Sequence, residues 1–146
     1  MLGSDARSRA MFGVRYRVVK YRAWVGFQKG RFLRILLIST AHSLDENPLP
    51  PLSLAYLAGA LERDGFEVQI LDFLVMRYRP EKVRQKLEEY RPQLVGVTCV
   101  TMNYPLATEM LKVCKEVDPD VVTVIGGPHV SFALEDTLLK SPWIDA

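Results

Sequence analysis

The sequence predicts an α/β fold: a doubly wound parallel sheet of strand order 2-1-3-4 with a fifth strand cut short. Three observations carry this. Short runs rich in branched apolar residues, LRILLI at 33–38, LVGVT at 94–98 and VVTVI at 121–125, read as buried strands. VVTVI is apolar at nearly every position, as a strand covered on both faces of a parallel sheet would be. Between the strands lie single stretches of helical length joined by short links, and that alternation dictates right-handed crossovers onto a parallel sheet.

The elements follow in order. After the first strand comes a polar loop, STAHSLDENPLP. Pro51 then opens LSLAYLAGALERDG, with Gly65 just past its end, which brackets a helix. Leu54, Leu57, Ala58 and Leu61 are expected on its inner face. FEVQILDF alternates and forms the second strand, ending near Asp72. Pro80 opens a charged helix with Val83, Leu87 and Tyr90 inward, and Pro92 stops it. The third strand ends at Thr98, followed by the loop CVTMNY. A helix from Pro105 to Val117 turns Leu106, Met110, Leu111 and Cys114 inward. The fourth strand leads into GGPH, and Ser131 to Lys140 reads as the last helix. Trp143 to Ala146 resembles the approach to a fifth strand, so the chain is expected to be the amino-terminal piece of something longer.

The 146 residues suffice for one domain with a real core. Apolar residues make up 49% and charged residues 25%, an ordinary soluble composition. No apolar run reaches the roughly 18 residues of a membrane span. The two cysteines, Cys99 and Cys114, have no metal-binding spacing, so no structural zinc or iron–sulfur cluster is expected within this chain. Buried thiols in an α/β domain fit a reducing cytoplasm. The net charge of +2 hides an asymmetry: residues 1–34 carry nine Lys/Arg against one acid, and the remainder ten against sixteen. Residues 1–32 are thus a basic extension and residues 33–146 the domain. Arg15, Arg17, Lys20 and Arg22 interleave with Tyr16, Tyr21 and Trp24. Such a pattern could grip nucleic acid or acidic lipid, act as a targeting segment, or be a plain tail or an upstream start. No clear nucleic-acid or membrane partner emerges.

In an open α/β sheet, ligands sit at the carboxyl ends of the strands. There the sequence places Ser39, Thr40, His42 and the loop to Pro51, then Thr98, Cys99, Val100, Thr101 and Asn103, then Gly126, Gly127, Pro128, His129 and Ser131. Small and hydroxylic residues at three adjacent mouths suit a large, extended ligand better than a compact phosphate. The first loop has no glycine, which excludes a dinucleotide fingerprint, and no GxxxxGK[ST] phosphate loop is present. Clustered acids of a phosphoacceptor domain are missing, and two histidines cannot supply a three-ligand metal site.

The stretches PPLSLAYLAGALERDGFEVQILDF, PQLVGVTCVTMNYPLATEMLKVCKEVDP and VVTVIGGPHVSFALEDTLL together resemble the cobalamin-binding domain that precedes the radical SAM core in B12-dependent radical SAM enzymes. The resemblance runs from about Leu33 to Ala146 and implies a flavodoxin-like fold with cobalamin as cofactor. It implies that Thr98 and Val100 line the nucleotide tail of cobalamin, and that Gly126 and Gly127 are the paired glycines against which the tail packs. His129 and Ser131 match the GGPHxS extension of the radical SAM branch. S-adenosylmethionine and a [4Fe-4S] cluster are expected only in a downstream radical SAM domain of the same full-length protein, as is the catalysis, commonly methyl transfer; this chain alone is expected to bind rather than catalyse.

One departure stands out. Cobalamin domains of the methionine-synthase type carry Asp-x-His-x-x-Gly after the first strand, and here Thr40-Ala41-His42-Ser43-Leu44-Asp45 keeps the histidine without its orienting Asp or the Gly. A histidine ligand needs such a partner. His42 is therefore expected to be a solvated loop residue rather than a cobalt ligand. Cys99 and Cys114 read as apolar filler. The competing reading is a non-catalytic α/β docking or regulatory domain that has lost cobalamin.

Overall fold

The computed structural model describes residues 33–40 and 49–146. Among them are four strands, β1 (Arg34–Ser39), β2 (Glu67–Asp72), β3 (Leu94–Thr98) and β4 (Val122–Gly126). They alternate with four helices, α1 (Leu52–Arg63), α2 (Pro80–Tyr90), α3 (Tyr104–Val117) and α4 (Pro128–Lys140). All strand pairs are parallel and the sheet order is β2-β1-β3-β4, as the sequence predicts. The fold is α/β and flavodoxin-like. His42 and the rest of the first loop, and the basic extension, lie outside the described residues.

Local chemistry sets the helix limits. At the end of α1, the Gly65 N–H donates to the Glu62 carbonyl (2.9 Å) and the Phe66 N–H to that of Leu61 (3.1 Å). Gly65 takes φ +90°, so the pattern is a Schellman stop that a side chain would oppose. Pro80 opens α2 at its first turn, where a missing N–H costs nothing. Arg91 ends α2 in the left-handed region at φ 48°, ψ 58°, and Pro92 prevents continuation. The Arg34 guanidinium donates twice to the Arg91 carbonyl (2.7 and 3.1 Å), fastening this corner to β1.

Register partners in a parallel sheet project to the same face, so the two faces can be read from the pairing. On one face Leu36, Val95 and Thr123 stand in line, followed by Ile38, Val97 and Ile125. All six are buried, and the main core joins their apolar members to Val83 and Leu87 of α2 and Met110 and Leu111 of α3. Each such aliphatic side chain contributes about 1.5–3 kcal/mol of transfer free energy. The inner stripes expected of α2 and α3 are thus present, with Leu106 only partly buried.

The opposite face is uneven. Ile35 and Leu37 of β1 are buried on the side of α1, which packs on β1 and β2 with Leu54 and Ala58 inward. Leu57, expected inward, is 46% exposed, because a helix resting on the sheet edge buries a narrower stripe than one packed on both sides. Farther along that face, Leu94, Gly96 and Thr98 of β3 and Val122, Val124 and Gly126 of β4 are all half-exposed. The sequence predicts β4 to be covered on both faces; among the described residues one face is buried and the other partly buried.

Beyond α4 the chain returns beside β4. The Asp145 N–H donates to the Thr123 carbonyl (2.9 Å), and the Thr123 N–H donates to the Asp145 carboxylate (2.9 Å). Lys115 completes this clamp, with Nζ 2.8 Å from the same carboxylate oxygen. The Trp143 indole N–H donates to the Thr108 carbonyl (2.9 Å), and Ile144 is fully buried. No helix among the described residues is long and apolar enough to cross a membrane.

Candidate functional site

The carboxyl ends of the strands align as a rim. Asp72, Ser39, Thr98 and Gly126 occupy successive register positions across β2, β1, β3 and β4. Thr98 and Gly126 face the half-exposed side, so the rim opens onto a trough whose floor is β3 and β4. The floor is mostly apolar and small: Leu94, Gly96, Val122, Val124 and Gly126.

The glycines of this trough do different work. A Cβ built at Gly126 would meet nothing within 4 Å, so the space above it is free. A Cβ at Gly96 would sit 3.1 Å from Leu37 Cδ2, a tight fit within the sheet. Gly127 is set by the chain itself. Its φ of 104° and ψ of 174° are essentially restricted to glycine, and a Cβ there would overlap the Cys99 carbonyl oxygen. The sequence reading assigns both glycines to ligand approach; the structure shows Gly126 bordering open space and Gly127 making the turn that starts α4.

The hydroxyls are distributed unequally as well. Thr40 is 2% exposed and donates to the Thr98 carbonyl (3.0 Å), tying the exits of β1 and β3 together. Thr98 is half-buried, and its hydroxyl makes no hydrogen bond among the described residues. Ser131 turns its hydroxyl back onto the Gly127 carbonyl (3.2 Å), within the first turn of α4. That helix begins at Pro128, three residues earlier than the sequence suggests, because Pro at the first position is pre-shaped for a helix. Pro51 precedes α1 and accepts from the Ala55 N–H (3.0 Å), which places it at the head of that helix.

The β3 exit is a short 3-10 turn, Thr101–Asn103. Asn103 is buried and accepts from the Val100 N–H through Oδ1 (2.8 Å). This leaves Val100, 38% exposed, and Thr101 on the surface of the rim. His129 meets them from α4: Nδ1 lies 3.2 Å from Thr101 Oγ1, and its ring lies on that of Tyr104 with centroids 4.2 Å apart. Of these residues, Asn103 is among the strand-end residues that the sequence places at this exit, and Tyr104 is the one that such a list leaves out. Asn103 stands immediately before the first residue of α3, where an Asn is a turn signal. Nothing in the sequence pairs Tyr104 with a histidine 25 positions later.

Beneath the rim, Cys99 and Cys114 are buried free thiols. Burial pushes the Cys99 thiol up and that of Cys114 up to about 12, so both are inert filler. No cluster of His, Cys, Asp and Glu able to hold a metal occurs among the described residues.

Residues 44–146 match the sequence profile of the B12 binding domain. The chain belongs to that family. Over 98 residues this B12-binding domain is 40% identical to an anaerobic magnesium-protoporphyrin IX monomethyl ester cyclase of Rubrivivax gelatinosus, covering 66% of the chain and 18% of the relative. Over 138 residues it is 29% identical to a cytidylyl-2-hydroxyethylphosphonate methyltransferase of Streptomyces wedmorensis, covering 80% of the chain and 26% of the relative. Among solved structures, it superposes on TsrM, a radical S-adenosylmethionine methyltransferase of Kitasatospora setae with cobalamin and a [4Fe-4S] cluster bound. That match has a TM-score of 0.66 at 24% identity and covers 77% of this chain and 20% of TsrM. It carries the fold. The B12-binding domain therefore spans about a quarter or less of the length of these relatives.

The trough fits the family's cofactor. Its floor is apolar, Gly126 withholds a side chain where free space lies above it, and Thr98 offers an unspent hydroxyl at its edge.

Proposed function

We propose that residues 33–146 are the cobalamin-binding domain of a larger B12-dependent radical SAM enzyme, a methyltransferase or a related radical enzyme, and that residues 1–32 are a basic extension outside it. The observation that carries this reading is the half-exposed apolar floor of β3 and β4 with Gly126 beneath free space. A docking module without a cofactor would not need Gly126 to withhold a side chain at an apolar strand end. The kinship with a cyclase and a methyltransferase, both much longer than this chain, supports placing the chemistry in a neighbouring radical SAM domain. That domain would supply S-adenosylmethionine and the [4Fe-4S] cluster.

Bound cobalamin would supply a cobalt centre for group transfer. The chain's own part is to hold and orient it. The apolar floor with Gly126 receives the nucleotide tail, and the Thr98 hydroxyl hydrogen-bonds its polar atoms. Val100, Thr101 and His129, with Pro128 and Ser131 behind them, form the rim nearest the corrin. Thr40 and Pro51 brace the first exit and the head of α1. His42 is not assigned a bond to cobalt.

The test is direct. The purified chain is mixed with hydroxocobalamin, passed through gel filtration, and scanned in the visible range. Co-elution of one cobalamin per chain, without the spectral change of an added nitrogen ligand, is expected. A chain that elutes colourless at saturating cobalamin would refute the assignment.

A further inference from the structure

Among the described residues of the rim, the His129 ring has two separate constraints. Thr101 Oγ1 meets Nδ1 at 3.2 Å, and the Tyr104 ring covers one face at 4.2 Å and an interplanar angle of 35°. Thr101 and Tyr104 both belong to the β3 exit, and His129 to the β4 exit. The backbone ties the same exits: Cys99 N–H donates to the Gly126 carbonyl (2.9 Å), and Gly127 packs on Cys99. Asn103 fixes the turn that carries Thr101 and Tyr104. With Nδ1 engaged and one face stacked, the remaining polar atom of the half-exposed ring is Nε2, which makes no hydrogen bond among the described residues.

Which ring nitrogen carries the proton is set by the bond that the other makes. Thr101 is exposed and its hydroxyl, which has no other acceptor among the described residues, can donate to the Nδ1 lone pair as well as accept from an Nδ1–H. A neutral ring whose Nδ1 accepts from Thr101 carries its proton on Nε2, the nitrogen left facing the rim.

We propose that Thr101 and Tyr104 are positioning residues that hold His129 in the Nε2–H form, so that His129 donates a hydrogen bond to an acceptor oxygen on the periphery of bound cobalamin. The proposal rests on the cobalamin reading above. It makes His129 a donor at the rim and not a nitrogen ligand. It also gives Tyr104, which neither the strand-end pattern nor the family resemblance singles out, a role in binding.

The chain has two histidines, so a His42→Gln variant leaves His129 as its only one. Long-range proton–nitrogen NMR of that variant, labelled with nitrogen-15 in slightly alkaline buffer without cobalamin, reads the tautomer directly. A protonated Nε2 and bare Nδ1 are expected, with Thr101→Val shifting the ring toward a mixture. Hydroxocobalamin titration should show affinity lowered about five- to tenfold in His129→Ala and Tyr104→Leu, the scale of one lost hydrogen bond. Tyr104→Phe, which keeps the ring, should bind as wild type. A protonated Nδ1 in the parent chain overturns the proposal, as does unchanged affinity in Tyr104→Leu and His129→Ala. Failure of the wild-type chain to bind cobalamin sinks the underlying reading instead, and the tautomer spectrum tells the two failures apart.

Discussion

The Gly127 backbone is pressed against Cys99: a Cβ at Gly127 would overlap the Cys99 carbonyl oxygen and stand 2.9 Å from the Cys99 nitrogen. This contact joins the exits of β3 and β4 and leaves no room for any residue but glycine. Gly127→Ala must therefore strain the backbone and part the two exits together. We expect a loss of roughly 1–3 kcal/mol from the backbone conformation alone, with the overlap adding to it. Urea unfolding measures it; a variant as stable as wild type would mean that the two exits do not lie this close.

Most of the fold was legible in the sequence because its signals are local. Pro80 before a charged stripe, Gly65 after LAGALERD, and branched runs at 33–38 and 94–98 each decide their own segment, and the sheet order follows from handedness and short links. The site was legible at the level of strand ends, since topology alone brings Thr98, Gly126 and His129 to one edge. What could not be read is whatever depends on pairing across that edge. The division of labour between Gly126 and Gly127 depends on where Cys99 lies, and the stacking of Tyr104 on His129 joins residues from separate loops. How deeply each face of β4 is buried depends on pairing in the same way. Val122 and Val124 look like any buried pair until the cover over each face is known.

The Asp145 clamp predicts a pH dependence. Burial raises the Asp145 carboxyl, but the Lys115 ammonium and the Thr123 N–H and hydroxyl outweigh it and hold the group below the usual carboxylate range. A depressed folded value means that the unfolded chain binds more protons, so the clamp's stabilisation is full above pH 4 and fades as pH falls through the folded value. The Asp145 side chain is 43% exposed, so solvent screening limits the effect to about 1 kcal/mol. Asp145→Asn should be less stable by about that amount at pH 7, with a flatter acid limb below about pH 4. Chemical denaturation across that range tests it; parallel curves for the two proteins would show that the clamp contributes nothing.

The two thiols should be silent in the folded chain. Cys99 is 2% exposed and Cys114 is fully buried, and burial raises both thiols, which suppresses the reactive thiolate. A disulfide-exchange reagent at pH 8 should label neither within minutes and both in 6 M guanidinium, a comparison that absorbance follows directly. Rapid stoichiometric labelling of Cys99 under native conditions would place it on the surface of the site rather than beneath it.

Core packing against α3 can be tested at Met110, which is fully buried among the main core residues. Met110→Ala should cost about 2–5 kcal/mol, the range for a large side chain removed from a well-packed interior. Leu57→Ala, on the exposed side of α1, should cost less than about 1 kcal/mol. Equal losses at both positions, read as shifts of the urea midpoint, would contradict the uneven cover of the two sheet faces.

The central claim is that the free space above Gly126 receives cobalamin, and one paired titration tests it. Gly126 does not have the positive φ of Gly127, so side chains are tolerated there by the backbone. Gly126→Leu is expected to unfold at the same urea concentration as wild type while its hydroxocobalamin affinity, followed by visible absorbance, falls at least about tenfold, or 1.4 kcal/mol. A Gly126→Leu chain that keeps both its stability and its wild-type affinity would show that cobalamin does not lie over β3 and β4.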